Sequence, residues 1–287
     1  MYSYKRKLTG PYNFDAVLNR LAIDPLNNVH IENKEVHVPF FQKNKPTVVK
    51  IKSIGTFTHP EFEILSEAIL PEHLQDKIER TFHWDRPLHE IQAHFANTNL
   101  APIFQQHEGT PIVLDYEPYN CLMKCFIHQQ LNLKFAHTLT ERFVHTFGFQ
   151  HEGVWFYPTP EKIAALDYED LTSMQFSRRK AEYIIDTSRL ITTGELPLDE
   201  IVLQSDDEIM KALIKVRGIG PWTVQNLLLF GLGRPNLFPL ADIGIQNALK
   251  KLFDLQEKPT QAQMLEWTKD WEPYLSYASL YLWRSIE

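Results

Sequence analysis

The chain of 287 residues is poor in cysteine, in glycine and in unbroken apolar sequence. Its two cysteines, Cys121 and Cys125, exclude a disulfide framework. They also exclude an iron–sulfur cluster, which needs four cysteine ligands. A bridge between residues four apart would close too short a loop to stabilise much, so both read as reduced core thiols. The longest apolar run, Leu227 to Gly233, is seven residues, against the ~20 needed to cross a bilayer. After the basic Tyr4-Lys5-Arg6-Lys7 no apolar stretch follows, so no signal peptide is expected. A soluble, cytoplasmic protein with no membrane partner is the expectation. Positive charge is also in deficit, 29 Lys and Arg against 36 Asp and Glu. Averaged over the molecule, that balance of −7 speaks weakly against nucleic acid, but averages conceal asymmetry. Between Lys211 and Lys251, six basic residues face one acid, Asp242.

What is present is ordinary for a globular protein: 44% apolar and 23% charged residues, at a length that suggests about two domains. Residues 1 to about 70 read as strands, because Val29-x-Ile31, Val36-x-Val38-x-Phe40, Val48-Val49-x-Ile51 and Phe62-x-Ile64-Leu65 carry the strand pattern and prolines separate them. From Tyr119 onward the apolar spacing turns helical, with Leu122, Phe126, Leu133, Ala136, Leu139, Phe143 and Phe147 at intervals of three, four or their multiples. Further helices are predicted at 160–166, 168–175, 178–193, 206–215, 221–231, 243–253, 261–269 and 273–285. The predicted class is α+β: an N-terminal antiparallel sheet domain over 1–117 and an all-helical body over 118–287.

His89-Glu90-Ile91-Gln92-Ala93-His94 superficially suggests a zinc-binding helix, but its histidines are five apart and about 140° out of line. The scarcity of glycine sharpens a different feature. Val216-Arg217-Gly218-Ile219-Gly220-Pro221-Trp222-Thr223 lies between two amphipathic helical stretches, a hairpin spanning about 206–231. Glycines allow the sharp turn, and Pro221 suits the first position of the second helix. Backbone amides at that helix start form a ready phosphate site without net positive charge, although the same residues also make an ordinary helix–turn–helix. Further on, Asp242 stands where an N-cap belongs before Ile243-Gly244-Ile245. That is itself a sufficient reason for an aspartate there. It is also the only acid between Glu208 and Asp254, well placed to stabilise a cation.

Together, Gly218-Ile219-Gly220-x-Trp222-Thr223 and the later Phe238-Pro239-x-x-Asp242 resemble the helix–hairpin–helix DNA glycosylases, and within them DNA-3-methyladenine glycosylase II. The resemblance extends to Phe126-Ile127-His128-Gln129-Gln130, to the stretch from Pro158 through Glu182, and to Trp271-Glu272-Pro273-Tyr274 through Trp283. It covers nearly all of 119–285 and little of the N-terminal domain beyond Pro11-Tyr12. It implies a catalytic role for Asp242 and a base pocket formed by Trp222, Trp283 and Tyr12. DNA backbone contacts are implied for Gly218, Ile219, Gly220 and Thr223, with Gln130 filling the gap left by a flipped base. The family often holds a monovalent cation, sodium or potassium, on hairpin carbonyls, here those of Ile214, Val216 and Gly218. No other cofactor is expected. Where the bifunctional branch carries a lysine nucleophile, this chain has Trp222, so no strand-nicking step is expected. Family aromatics are replaced by Arg20, Asn226 and Arg284, which makes the pocket more polar.

The implied reaction is removal of cationic purines, such as 3-methyladenine and 7-methylguanine, from double-stranded DNA by a monomer. A purine alkylated at N3 or N7 already carries positive charge and leaves without the general acid that glycoside hydrolysis usually needs. Asp242 then has only to stabilise the oxocarbenium-like sugar and orient water. Excision of neutral deaminated purines, and a non-catalytic DNA-binding hairpin, are the competing readings.

Overall fold

The structure is a computed structural model, and it describes residues 2–42 and 45–286. Alternating apolar side chains build an N-terminal sheet from β1 (Tyr2–Lys7), β2 (Asn28–His30), β3 (Glu35–Gln42), β4 (Lys45–Ser53) and β5 (Glu61–Ser66). The spatial order is β1-β5-β4-β3-β2 and every neighbouring pair is antiparallel. Val36 lies opposite Ile51, which lies opposite Ile64. All three are fully buried, as one shared face requires.

The strands predicted for residues 1–70 do not fill that stretch, because α1 (Phe14–Ala22) interrupts them. Phe14, Val17, Leu18 and Leu21 recur at helical spacing and are buried, and the Asn13 side chain caps the helix by accepting from the Ala16 N–H at 2.9 Å. Three further helices, α2 (Glu72–Thr81), α3 (Leu88–Phe95) and α4 (Ala101–Gln106), complete the N-terminal part.

The body that follows comprises α5 (Pro118–His128), α6 (Leu133–Phe147), α7 (Pro160–Ala164), α8 (Tyr168–Thr172), α9 (Arg178–Thr193), α10 (Leu198–Ile201) and α11 (Asp206–Leu213). Next come α12 (Pro221–Asn226), running into a π-helical turn (Leu227–Gly231), then α13 (Ile243–Leu252), α14 (Gln261–Thr268) and α15 (Leu275–Arg284). It is not all-helical: β6 (Phe149–His151) and β7 (Val154–Phe156) form a hairpin. Glu152 and Gly153 supply its two-residue turn, both at positive φ (48° and 76°), the geometry that matches strand twist. The hairpin packs on the N-terminal sheet, with Phe156 against Phe41 at 5.3 Å between ring centroids.

The two large hydrophobic cores do not follow the linear division at residue 117. One combines residues of 12–114 with α13–α15, and the other gathers α5–α12. The last helices return to the first core because their aromatics find polar partners there. Trp271 Nε1–H donates to Asn99 Oδ1 at 2.8 Å, Tyr281 Oη–H donates to the Thr110 carbonyl at 2.9 Å, and His83 Nδ1 lies 2.7 Å from Tyr277 Oη. Burial pulls the His83 pKa down to about 3, so the ring in that last contact is neutral. Phe230 and Leu237 touch both cores, which places the π-helical turn and the segment before α13 at their junction. Cys121 and Cys125 are buried free thiols. Among the described residues, no helix is long and apolar enough to cross a membrane.

Candidate active site

Asp242 is the N-cap of α13, with extended backbone (φ −72°, ψ 123°) and its Oδ1 accepting from the Ile245 N–H at 2.8 Å. The same oxygen accepts from Trp283 Nε1–H, on α15, at 2.9 Å. The contact needs Gly244: a Cβ there would lie 3.0 Å from Asp242 Oδ1 and 3.2 Å from Trp283 Cδ1. Among the described residues Oδ2 receives no hydrogen bond, and Asp242 lines a cavity of about 270 Å³ at the junction of the two cores. The carboxylate is thus oriented by two donors on one oxygen, leaving the other for chemistry.

Trp222 and Trp283 line this cavity, with Asn226 and Phe230. Trp222 is 45% exposed, so it is not a core tryptophan and its ring is open to a stacking partner. Trp283 stacks on Phe230 at 6.0 Å and carries the hydrogen bond to Asp242, so it is a positioning residue as well as a wall. Removing that donor while keeping the ring, Trp283→Phe, is expected to slow single-turnover base release about tenfold, the effect of losing one hydrogen bond to a charged group. Affinity for abasic DNA is the control, and a parallel loss there would assign Trp283 to binding instead.

Tyr12 does not join the pocket. It is 3% exposed, donates its Oη–H to the Phe82 carbonyl at 2.7 Å and meets Phe62 edge-on, held inside the N-terminal core. From that part of the chain the cavity receives Ala16 and Arg20 of α1 instead.

The hairpin between α11 and α12 has the expected turn. Gly218 is left-handed (φ 93°), and a Cβ on it would fall 2.3 Å from the Tyr183 ring. Gly220 (φ −105°) caps α12 and has no atom within 4 Å of a built Cβ. Two of the predicted DNA-contacting residues have buried side chains. Thr223 is 1% exposed and its Oγ1 accepts from Gln129 Nε2–H at 3.1 Å, so its hydroxyl faces inward. Ile219 is buried, and its N–H is taken by the Val216 carbonyl at 3.1 Å. Gln130 stands at the exposed break between α5 and α6 in left-handed backbone (φ 57°), outside the cavity lining.

Of the three carbonyls expected to hold a cation, that of Gly218 also accepts from Gln129 Nε2–H at 3.0 Å and that of Val216 from the Ile219 N–H at 3.1 Å, one lone pair on each. Among the described residues no cluster of His, Cys, Asp or Glu could hold a metal.

Sequence reasoning missed the support beneath this turn. Lys180 of α9 donates to the carbonyls of Phe126, Ile127 and Gln129 at 2.8, 2.6 and 2.7 Å, closing the C-terminus of α5. Burial lowers its pKa to about 8, which still leaves the ammonium mostly protonated at neutral pH. The same helix supplies Tyr183 under Gly218, and Glu182 pairs with Arg217 at 2.6 Å. One element therefore holds the hairpin and the Gln129–Gln130 turn in register. Lys180→Met is expected to cost about 1–2 kcal/mol, read as a lowered urea midpoint, because three helix-end carbonyls lose their donor. DNA affinity should fall with it; an unchanged midpoint would sink the role.

The sequence profile of the HhH-GPD superfamily of base excision DNA repair proteins matches residues 123–273, more than half of the chain. The chain belongs to this superfamily. Among its relatives is a Bacillus subtilis protein provisionally named a DNA-3-methyladenine glycosylase, 58% identical over all of both chains. A second Bacillus subtilis protein, DNA-3-methyladenine glycosylase, is 31% identical over 89% of this chain and 80% of its own. The fold matches a solved 3-methyladenine DNA glycosylase from Archaeoglobus fulgidus with a TM-score of 0.83 at 20% identity, covering 98% of this chain and 97% of that one. The HhH-GPD match contains the hairpin, Asp242 and Trp271, but it stops short of Trp283.

Proposed function

We propose that this protein is a monofunctional DNA glycosylase that removes alkylated, cationic purines from duplex DNA. The observation that carries the proposal is Asp242, the only carboxylate among the described residues lining the cavity, fixed through one oxygen by Ile245 and Trp283. The names of the two Bacillus relatives support the alkylated substrate. In the reaction the bond between C1′ and the base nitrogen breaks, and its electron pair neutralises the positive charge of the departing base. The free carboxylate oxygen stabilises the oxocarbenium-like sugar, and water adds at C1′, giving up a proton toward Asp242. Extruding the base costs a few kcal/mol and least for a damaged one; stacking on Trp222 returns about 1–3 kcal/mol.

The amines support the monofunctional reading. No lysine lines the cavity among the described residues. Lys124, which lines the adjoining chamber, is paired to Asp115 at 2.6 Å and to Asp24 at 3.2 Å, and it stays protonated rather than nucleophilic. The test is release of free base from methylated duplex DNA. The expected result is 3-methyladenine and 7-methylguanine in solution with intact strands until alkali is added. Strand cleavage before alkali, together with a borohydride-trapped adduct, would overturn the monofunctional part. No release at all would overturn the proposal.

A further inference from the structure

The same cavity holds two guanidinium groups against its one carboxylate: Arg20 of α1 and Arg284 at the end of α15. Arg20 is the informative one. It makes no hydrogen bond or ion pair among the described residues, and it lines both this cavity and the adjoining chamber of about 380 Å³. Val113, Trp222, Asn226 and Phe230 line both as well, so Arg20 belongs to the wall that the two spaces share with the exposed Trp222 ring. The acids of the second chamber offer it no partner, since Asp24 and Asp115 share Lys124. An exposed arginine whose donors meet only solvent, on the wall of a cavity that also holds a stacking ring, is matched to a purine edge carrying two adjacent acceptors, a carbonyl O6 and the ring N7.

We infer that Arg20 is a catalytic residue for neutral keto-purines, binding O6 and N7 of the flipped base and stabilising the negative charge that develops as it leaves. The inference rests on the glycosylase reading of the site. A neutral purine lacks the built-in leaving ability of an alkylated one, and among the described residues no general acid lines the cavity. When its glycosidic bond breaks, the electron pair enters the ring and spreads to O6 and N7, where the Arg20 N–H groups meet it. The purinate takes its proton from water, and a second water adds to the sugar and yields a proton toward Asp242. For a cationic base the same guanidinium works in the opposite sense, because positive charge is what departs. In 3-methyladenine, moreover, the acceptor N7 is flanked by an amino donor. Arg20 therefore sets which bases the enzyme favours.

The test compares release of hypoxanthine and of 3-methyladenine from duplex DNA by wild type, Arg20→Leu and Arg20→Lys. Arg20→Leu should cut hypoxanthine release by about tenfold or more, the discrimination expected of a bidentate base contact, and raise 3-methyladenine release. Arg20→Lys should recover part of the hypoxanthine activity. Affinity for the same duplex with an abasic site should stay within about twofold, and its salt dependence should keep its slope. A parallel fall for both bases, with weaker abasic-DNA binding and a slope reduced by about one, would make Arg20 a phosphate contact and overturn the inference. An unchanged ratio of the two rates would overturn it as well. So would a wild type that releases alkylated bases and no hypoxanthine, with the proposed function left standing. A wild type that releases no alkylated base fails at the earlier step, whatever Arg20 does.

Discussion

Asp242→Asn is expected to lower base release by about 10²- to 10³-fold or more, the usual cost of removing one preorganised electrostatic contact to a developing charge. The fold should not notice. The amide oxygen of asparagine can accept the Ile245 N–H and Trp283 Nε1–H where Asp242 Oδ1 does now, and Asn is as good an N-cap as Asp. The substitution therefore removes charge and little else. Single-turnover release of 7-methylguanine gives the loss, the urea midpoint verifies the cap, and gel-shift titration with abasic duplex verifies binding. Asp242→Ala provides the contrast: it should add a stability cost of about 0.5–2 kcal/mol because the cap goes too. A mutant Asn enzyme that released base at the wild-type rate would return Asp242 to a purely structural role and leave the cavity without a catalytic group.

Much of this arrangement is legible in the sequence, for local reasons. The 178–193 helix is found with both predicted ends, since Ser177 caps it by accepting from Lys180 N–H and Gly194 stops it in the left-handed conformation (φ 78°). The hairpin glycines and the Asp242 cap are likewise short-range signals. What stayed hidden is long-range. Tyr12 beside a proline looks the same whether it faces a ligand or Phe62, and only the folded sheet decides. The return of Trp271, Tyr277 and Tyr281 to the N-terminal core, across about 170 or more residues for each polar contact, has no local signature. Lys180 carries none either, because a lysine in a charged run normally reads as solvated. In two places the signal was present and outweighed: the helical spacing of α1 lay between strands, and the Glu152-Gly153 turn lay in a helical stretch.

Gly218→Ala is expected to disable the hairpin, and Gly220→Ala provides the means to say why. At Gly218 two penalties combine. An L-residue is strained at φ 93°, by about 1–2 kcal/mol. The added methyl would also sit 2.3 to 2.6 Å from three carbons of the Tyr183 ring. That ring cannot easily yield, with Phe126 at 6.1 Å between centroids on one account and Arg217 at 5.7 Å from its centroid on another. The backbone must move instead, which separates the Gly218 carbonyl from Gln129 and loosens the turn that presents Gln130. The expected outcome is a loss of more than about 3 kcal/mol in stability, within the range for overpacking combined with a forced backbone conformation, and DNA affinity reduced more than about tenfold. At Gly220 neither penalty applies, since the backbone is ordinary (φ −105°) and the Cβ position is open. Gly220→Ala should keep the urea midpoint, so any fall in its DNA affinity reports a phosphate backbone passing where the methyl now stands. If Gly220→Ala binds as wild type does, the DNA does not approach the hairpin at the start of α12, and the weak binding of Gly218→Ala is a matter of fold alone.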